Sequence, residues 1–181
     1  MKIAIIGPQN TGKSTFISDI LTHYPHFTAP EETYRTLIEE KGLLVNQQTT
    51  KESQELIRDF LFREMKEMKD YTIIDRSVID NYVYTRAGYL LGNIPESFVK
   101  ETWNIMIESL SLVDVYIFIP TALSVPLEAD KTRDITPSYI DMVNRVFLDT
   151  LFTLKETHKI PLKVIAGSRG ERLDVFGELF L

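Results

Sequence analysis

The amino-acid sequence predicts an α/β fold in which a five-stranded parallel sheet is covered on both faces by helices. Three observations carry this. Short β-rich apolar runs recur at about 2–6, 27–30, 71–75, 113–119 and 162–166, and longer helical stretches alternate with them. The longer runs are apolar at most positions rather than alternating, as strands buried on both faces are. Between the first run and the first helix stands Gly7-Pro8-Gln9-Asn10-Thr11-Gly12-Lys13-Ser14, which fits G-x-x-x-x-G-K-[ST]. Right-handed crossovers then bring the C-terminal ends of all the strands to one rim, where a crevice forms.

The first element is Lys2-Ile3-Ala4-Ile5-Ile6, a buried strand by composition. The glycines after it let the backbone curl until successive N–H groups face one phosphate chain, and the following helix adds its positive end. In such a phosphate-binding P-loop, Lys13 reaches the β- and γ-phosphates and the Ser14 hydroxyl holds Mg2+. Gly7, Asn10, Thr11, Gly12 and Thr15 complete the expected nucleotide-binding set. Phe16, Ile17, Ile20 and Leu21 form the apolar stripe of the helix it opens.

Pro25 and Pro30 bracket a very short second strand. Glu31 starts a polar helix that stops near Gly42; Glu32 and Arg35, three apart, either suit the helix dipole and solvent or look into the site from one helical face. A long amphipathic helix follows over 52–69, with Leu56, Ile57, Phe60, Leu61, Met65 and Met68 toward the core and Arg58, Arg63 and Glu64 in solvent.

The run 71–75 ends in Asp75. A carboxylate at the C-terminal end of a parallel strand beside a P-loop holds Mg2+ through its water shell. Arg76 follows directly, suited to a phosphate or a substrate hydroxyl, or to an ion pair with a nearby carboxylate. Asp80 and Tyr84 share a helical face and either line an acceptor pocket or pair locally; Gly88 and Gly92 loosen the segment.

A helix from Pro95 to Leu110 packs through Val99, Trp103, Met106 and Leu110. A strand at 113–119 ends at Pro120. The charged, irregular segment 123–137, with Arg133 in it, is either a lid that closes over a triphosphate or a solvated charge cluster. The last long helix carries Ile140, Val143, Phe147, Leu151 and Leu154, and Gly167-Ser168 leads into a final helix with Leu173, Val175, Phe176 and Leu179.

Composition narrows the class. At 181 residues the chain suffices for one domain, 1–181, with one sizeable core, and no linker or repeat divides it. A net charge of −6 argues against broad nucleic-acid binding. The sequence has no cysteine, which excludes disulfides and thiolate metal sites and fits a reducing cytoplasm. No apolar run approaches the length of a membrane span, and no signal peptide is expected before the first strand.

These motifs in this order resemble the small P-loop nucleoside and nucleotide kinases. The likeness is nearest to ATPase-like proteins related to the ribosylnicotinamide kinase domain, and more distant to deoxynucleoside and thymidylate kinases. The segments that carry it are the P-loop, Glu32-Thr33-Tyr34-Arg35, Asp75 to Asp80, Asp130-Lys131-Thr132-Arg133 and Gly167-Ser168 with Arg172. The resemblance implies a three-layer P-loop NTPase fold with strand order 2-3-1-4-5, ATP and Mg2+ as cofactors, and transfer of the γ-phosphoryl group. It implies that Glu32 accepts the acceptor's hydroxyl proton, that Asp75-Arg76-Ser77 matches the Glu-Arg-Ser and Asp-Arg-aromatic signatures, and that Arg133 is the lid arginine. It also implies that Gly167 and Ser168 pass by the adenine ring. Two features depart from the family. Gln9-Asn10 stand where thymidylate kinases carry an acidic residue, and the stretch from Asp80 to Trp103 matches no subfamily. The acceptor, expected to be a nucleoside, a nucleotide or a related small molecule, therefore stays unassigned, as do the pathway and the oligomeric state, a homodimer among the possibilities. A P-loop ATPase or nucleotide-binding regulatory protein without an acceptor is the alternative. A GTPase is disfavoured because the chain has no Asn-Lys-x-Asp run.

Overall fold

The computed structural model describes residues 1–121 and 136–180. The chain order is β1 (Lys2–Ile6), α1 (Lys13–His23), α2 (Tyr34–Lys41), α3 (Lys51–Glu67), β2 (Thr72–Asp75), α4 (Val78–Leu90), α5 (Glu96–Ser109), β3 (Val115–Phe118), α6 (Pro137–His158), β4 (Leu162–Val164) and α7 (Arg169–Phe180). The four strands form one parallel sheet in the order β2-β1-β3-β4. β1 and β3 lie inside the sheet, which is why Ile3 to Ile6 and Tyr116 to Phe118 are all buried apolar residues.

The sheet therefore has four described strands rather than five, and the expected order 2-3-1-4-5 is corrected accordingly. The segment 27–30 makes only an isolated parallel bridge, Thr28 to Thr72. The Thr28 N–H donates to the Tyr71 carbonyl at 2.8 Å, and the Ile73 N–H donates to the Thr28 carbonyl at 2.8 Å. The next residue along to face that neighbour is Pro30, which has no N–H to give, so the ladder stops after one rung.

Side-chain alternation builds the three layers. Ala4 and Ile6 of β1 point to one face, with Ile74, Tyr116 and Phe118, and pack under Ile38, Leu61, Val83 and Phe147 from α2, α3, α4 and α6. Ile3 and Ile5 point to the other, with Ile73 and Ile117, and meet Phe16 and Ile20 of α1 and Phe176 of α7. Each such large apolar side chain contributes about 1.5–3 kcal/mol by leaving water. The stripe Ile140, Val143, Phe147, Leu151 and Leu154 of α6 is buried throughout, as its spacing predicts. In α5, Met106 is buried, and Val99 and Trp103, with Leu110 just past the helix end, are half-buried against the same core.

Several expectations are corrected. Leu56 and Leu179 are exposed, the first because α3 turns Ile57, Phe60, Leu61 and Met65 inward instead. Arg58 is buried, not solvated: its guanidinium reaches Glu101 at 2.8 Å and Asp59 at 3.1 Å and lies over the Phe98 ring, so its charge is paired where it leaves water. Glu64 is half-buried. Gly88 does not loosen α4; a Cβ there would come within 2.6 Å of Ile94 and 2.7 Å of Thr49, so the glycine lets a loop pack on the helix. The polar helix α2 begins at Tyr34 after an extended Thr33, not at Glu31. Among the described residues, no helix is long and apolar enough to cross a membrane.

Candidate active site

The loop between β1 and α1 is shaped by its backbone. Gly7 sits at φ 143°, and a Cβ there would lie 2.4 Å from the Ile119 carbonyl oxygen, so the loop passes β3's end at a distance only glycine permits. Asn10 and Gly12 also take positive φ, and Gly12 starts α1 with no side chain capping its first-turn N–H groups. The Asn10 Nδ2 is buried without a hydrogen-bond acceptor. Lys13 is buried and folds its Nζ onto the Pro8 carbonyl at 2.5 Å and the Thr11 hydroxyl at 3.3 Å, inside the curl of the loop. Burial, with Arg76 nearby, lowers its pKa to about 7. Uncapped amides and a poorly neutralised buried amine fit an oligophosphate.

At the end of β2, the Ser14 hydroxyl donates to Asp75 Oδ2 at 2.9 Å. Arg35 approaches the same oxygen at 3.8 Å, while Asp75 Oδ1 is buried with no partner. An orphaned carboxylate oxygen beside a hydroxyl fits a hard cation. Among the described residues no cluster of three or more His, Cys, Asp or Glu side chains gathers for a metal, so the remaining ligands would be phosphate oxygens and water, as Mg2+ prefers. These residues border a cavity of about 230 Å³ that Glu32, Arg35 and Glu64 also line. Glu32 thus shares the cavity with Asp75, although it precedes α2 and is exposed, so it does not share a helical face with Arg35. A second cavity of about 280 Å³ adjoins this one through Ala29, Pro30, Glu32 and Glu64. Burial and the Asp75 charge push Glu64 up to about 8.

A third pocket, about 40 Å³, lies between α2, α3 and α4. Arg76 opens it. This residue has left-handed backbone at φ 83°, and its N–H donates to the Ile5 carbonyl at 2.9 Å. Its guanidinium stacks between the Tyr34 and Tyr84 rings, 4.7 and 4.9 Å from their centroids, and meets Asp80 at 3.3 Å. Ser77 and Asp80 form a capping box that starts α4. Asp80 Oδ1 also accepts the Gly7 N–H at 3.1 Å, and the Tyr84 hydroxyl accepts the Gln9 N–H at 3.1 Å and bonds the Gln9 side chain. Asp80 and Tyr84 line this pocket; Asp80 pairs locally with Arg76 and Ser77, and both residues also reach the phosphate loop.

Sequence reasoning missed a buried polar pair in this pocket, Asn81 and Gln54. Asn81 Nδ2 donates to the Gln54 backbone carbonyl at 2.9 Å and to its side-chain oxygen at 2.8 Å, and Gln54 Nε2 donates to the Thr49 hydroxyl at 2.7 Å. Asn81 Oδ1 is buried without a partner. A glutamine one turn ahead of the α3 stripe, facing an asparagine on the wholly buried face of α4, was the available signal. Gly167 and Ser168 lie on the far side of the phosphate loop, exposed, with the Ser168 N–H donating to Glu171 at 2.7 Å. Thr15 is exposed beside Ser14 on α1. Most of the expected lid and Arg133 lie outside the described residues.

A parallel-sheet fold whose glycine loop holds a buried lysine and whose next strand ends in a carboxylate facing a serine is the architecture of a P-loop nucleotide-binding protein. The sequence profile of the AAA domain family matches residues 2–172, and the chain belongs to that family. No curated protein matches the sequence. Among solved structures it is similar to deoxyadenosine kinase from M. mycoides with products dCMP and a flexible dCDP bound, at 17% identity and TM-score 0.73, over 99% of this chain and 97% of that one. It is also similar to thymidylate kinase from Candida albicans, at 19% identity and TM-score 0.64, over 98% and 89%. NadR protein in complex with NR matches at 13% identity and TM-score 0.71, over 97% of this chain and 50% of that one. At these identities the shared property is the kinase-like fold.

Proposed function

We propose that this protein is an ATP- and Mg2+-dependent phosphotransferase that moves the γ-phosphoryl group to a nucleoside, a nucleotide or a related small molecule. One observation carries the reading: the phosphate loop is bonded to a buried polar pocket through Gly7–Asp80 and Gln9–Tyr84. A donor site and a second small-molecule site joined by their own hydrogen bonds suit transfer between two substrates, where an ATPase needs only the first. The kinase-like fold supports the same reading.

In this reading the loop residues Gly7, Asn10, Thr11, Gly12, Lys13 and Thr15 hold the phosphates, and Gly167 and Ser168 border the base. Ser14 and Asp75 would hold Mg2+, which when bound neutralises phosphate charge. The pocket of Arg76, Asn81 and Gln54 receives the acceptor once α2 and its following loop move outward, because about 40 Å³ is too small for a nucleoside. An acceptor hydroxyl oxygen attacks the γ-phosphorus, the bond to the β,γ-bridging oxygen breaks, and ADP leaves. Glu32 takes the hydroxyl proton, Arg76 orients the acceptor or a phosphate oxygen, and Arg133 closes with a lid at 123–137 of a single domain. Such transfer needs positioning and charge neutralisation more than covalent chemistry.

The test is product analysis with γ-labelled ATP over a panel of nucleosides and nucleoside monophosphates. Label on an acceptor supports the reading. Label released only as free phosphate makes the protein an ATPase, and no turnover makes it a nucleotide sensor.

A further inference from the structure

Arg172, on the first turn of α7, is 5% exposed and has no carboxylate within ion-pair distance among the described residues. Its guanidinium spends its hydrogen bonds on two carbonyls: Nε donates to Gly167 at 2.9 Å and Nη1 to Thr11 at 2.7 Å. Burial lowers its pKa. A buried cation bonded only to carbonyls is expensive unless negative charge arrives nearby.

Thr11 places that cation. Its carbonyl belongs to the Thr11–Gly12 peptide, which leads into the Gly12 N-cap of α1. In a trans peptide the C=O and N–H point in opposite directions. With the carbonyl drawn toward α7, the Gly12 N–H is turned away from α7, and it donates to no acceptor among the described residues. A charge-assisted bond at the carbonyl also polarises the peptide and makes its N–H a stronger donor. Gly12 has no side chain to intervene; a Cβ there would sit 3.4 Å from Arg172 Nη1. The same guanidinium holds Gly167, whose loop is fastened again by the Ser168 N–H to Glu171.

We propose that Arg172 is a positioning residue for the phosphate chain: from α7 it fixes the Thr11–Gly12 peptide so that the Gly12 N–H faces an oligophosphate, and its unpaired charge is answered by that ligand. This rests on the P-loop reading above and adds to it a residue about 160 positions away, the separation from Thr11 being 161.

The experiment is isothermal titration of wild type, Arg172→Met and Arg172→Lys with two probes, ATP in the presence of Mg2+ and inorganic tripolyphosphate, with circular dichroism to check folding. The Gly12 amide resonance of 15N-labelled protein is recorded without ligand. Arg172→Met is expected to bind both probes at least about tenfold more weakly, a loss of about 1.4 kcal/mol, and to shift the Gly12 amide. Arg172→Lys, which keeps the charge and reaches fewer carbonyls, recovers part of the affinity. If Arg172→Met fails to fold, Arg172→Lys carries the test, and wild-type affinity for tripolyphosphate in that variant overturns the proposal. Loss of ATP binding with tripolyphosphate binding unchanged also overturns it, since Arg172 would then serve only the 167–168 loop. Wild type that binds neither probe overturns the P-loop reading and this proposal together; wild-type binding with unaltered variants overturns this proposal alone.

Discussion

The phosphate loop and the side-chain pocket adjoin, yet they are built by different means. The loop is one contiguous octapeptide whose positive-φ residues curl the backbone, so the polar groups it presents are mostly main-chain N–H. The pocket takes Tyr34 from α2, Gln54 from α3 and Arg76, Asn81 and Tyr84 from the end of β2 and α4, so the polar groups it presents are side chains brought together by packing. A main-chain site tolerates little change in shape but does not read the ligand's side groups. A side-chain site is where one acceptor is distinguished from another. The difference predicts which substitutions damage shape, which damage affinity and which damage choice.

The largest effect tests shape. Gly7→Ala must place a methyl 2.4 Å from the Ile119 carbonyl at a φ of 143°. It is expected to lower unfolding stability by at least about 3 kcal/mol, near the top of the range for single changes. A wild-type urea midpoint would show that the loop can shift and that its shape is not set by this approach.

Lys13→Ala separates charge from shape. The buried amine has little to do for the fold, since its bonds to Pro8 and Thr11 lie inside the loop. The variant should stay folded and bind ATP at least about tenfold more weakly, or turn over far more slowly, by loss of a charged donor to phosphate oxygens. Unchanged affinity and turnover would break the assignment of the loop. Asp75→Asn keeps the bond to Ser14 within reach and removes one negative charge. Turnover should then require several-fold more Mg2+, on the order of 1 kcal/mol of lost cation binding. An unaltered Mg2+ titration would make Asp75 a purely structural end to β2.

The same contrast explains what could be read from the sequence. The loop was legible because its motif is contiguous, all within eight positions, while the groups that hold it from outside, Asp80, Tyr84, Ile119 and Arg172, carry no such signature. Asp75 was legible because a strand end has a fixed place in a parallel sheet. The pocket was not, because Gln54 and Asn81 are 27 residues apart and neither belongs to a motif. Helical periodicity places Arg58 and Glu64 in solvent because it marks the core face but not a buried ion pair or a cavity on the flank. The bracketing prolines predict a short strand at 27–30; that Pro30 removes the next ladder donor becomes visible only once Thr28 is seen paired with Thr72.

The smallest effect lies beside the two regions, in the cavity that Asp75 and Glu64 line. Glu64 has a folded pKa of about 8 against an ordinary 4.5, so the folded chain holds a proton there more tightly than the unfolded chain. The stabilisation is therefore fully present below about pH 4.5 and is lost as pH rises through 8. Gln cannot titrate, so the melting temperature of Glu64→Gln relative to wild type should rise between pH 5 and pH 8.5; solvent screening of this half-buried carboxyl beside an open cavity holds the rise to roughly 2–4 °C, about 1 kcal/mol. A difference that is constant with pH would show that Glu64 ionises normally.

The most direct test of the account asks whether loop and pocket are halves of one transfer site. A bisubstrate analogue, a nucleoside tethered through its 5′ oxygen to the terminal phosphate of ATP, reaches both if they are. Its affinity is measured by isothermal titration beside that of ATP, for wild type and for Asn81→Leu, which removes the buried amide facing Gln54. The account predicts that, for at least one nucleoside of a small panel, the analogue binds wild type at least about tenfold more tightly than ATP, because the second half binds at high effective concentration. It predicts that Asn81→Leu loses this gain while binding ATP as wild type does. An analogue that binds no more tightly than ATP for any nucleoside, or a gain that survives Asn81→Leu intact, would contradict it.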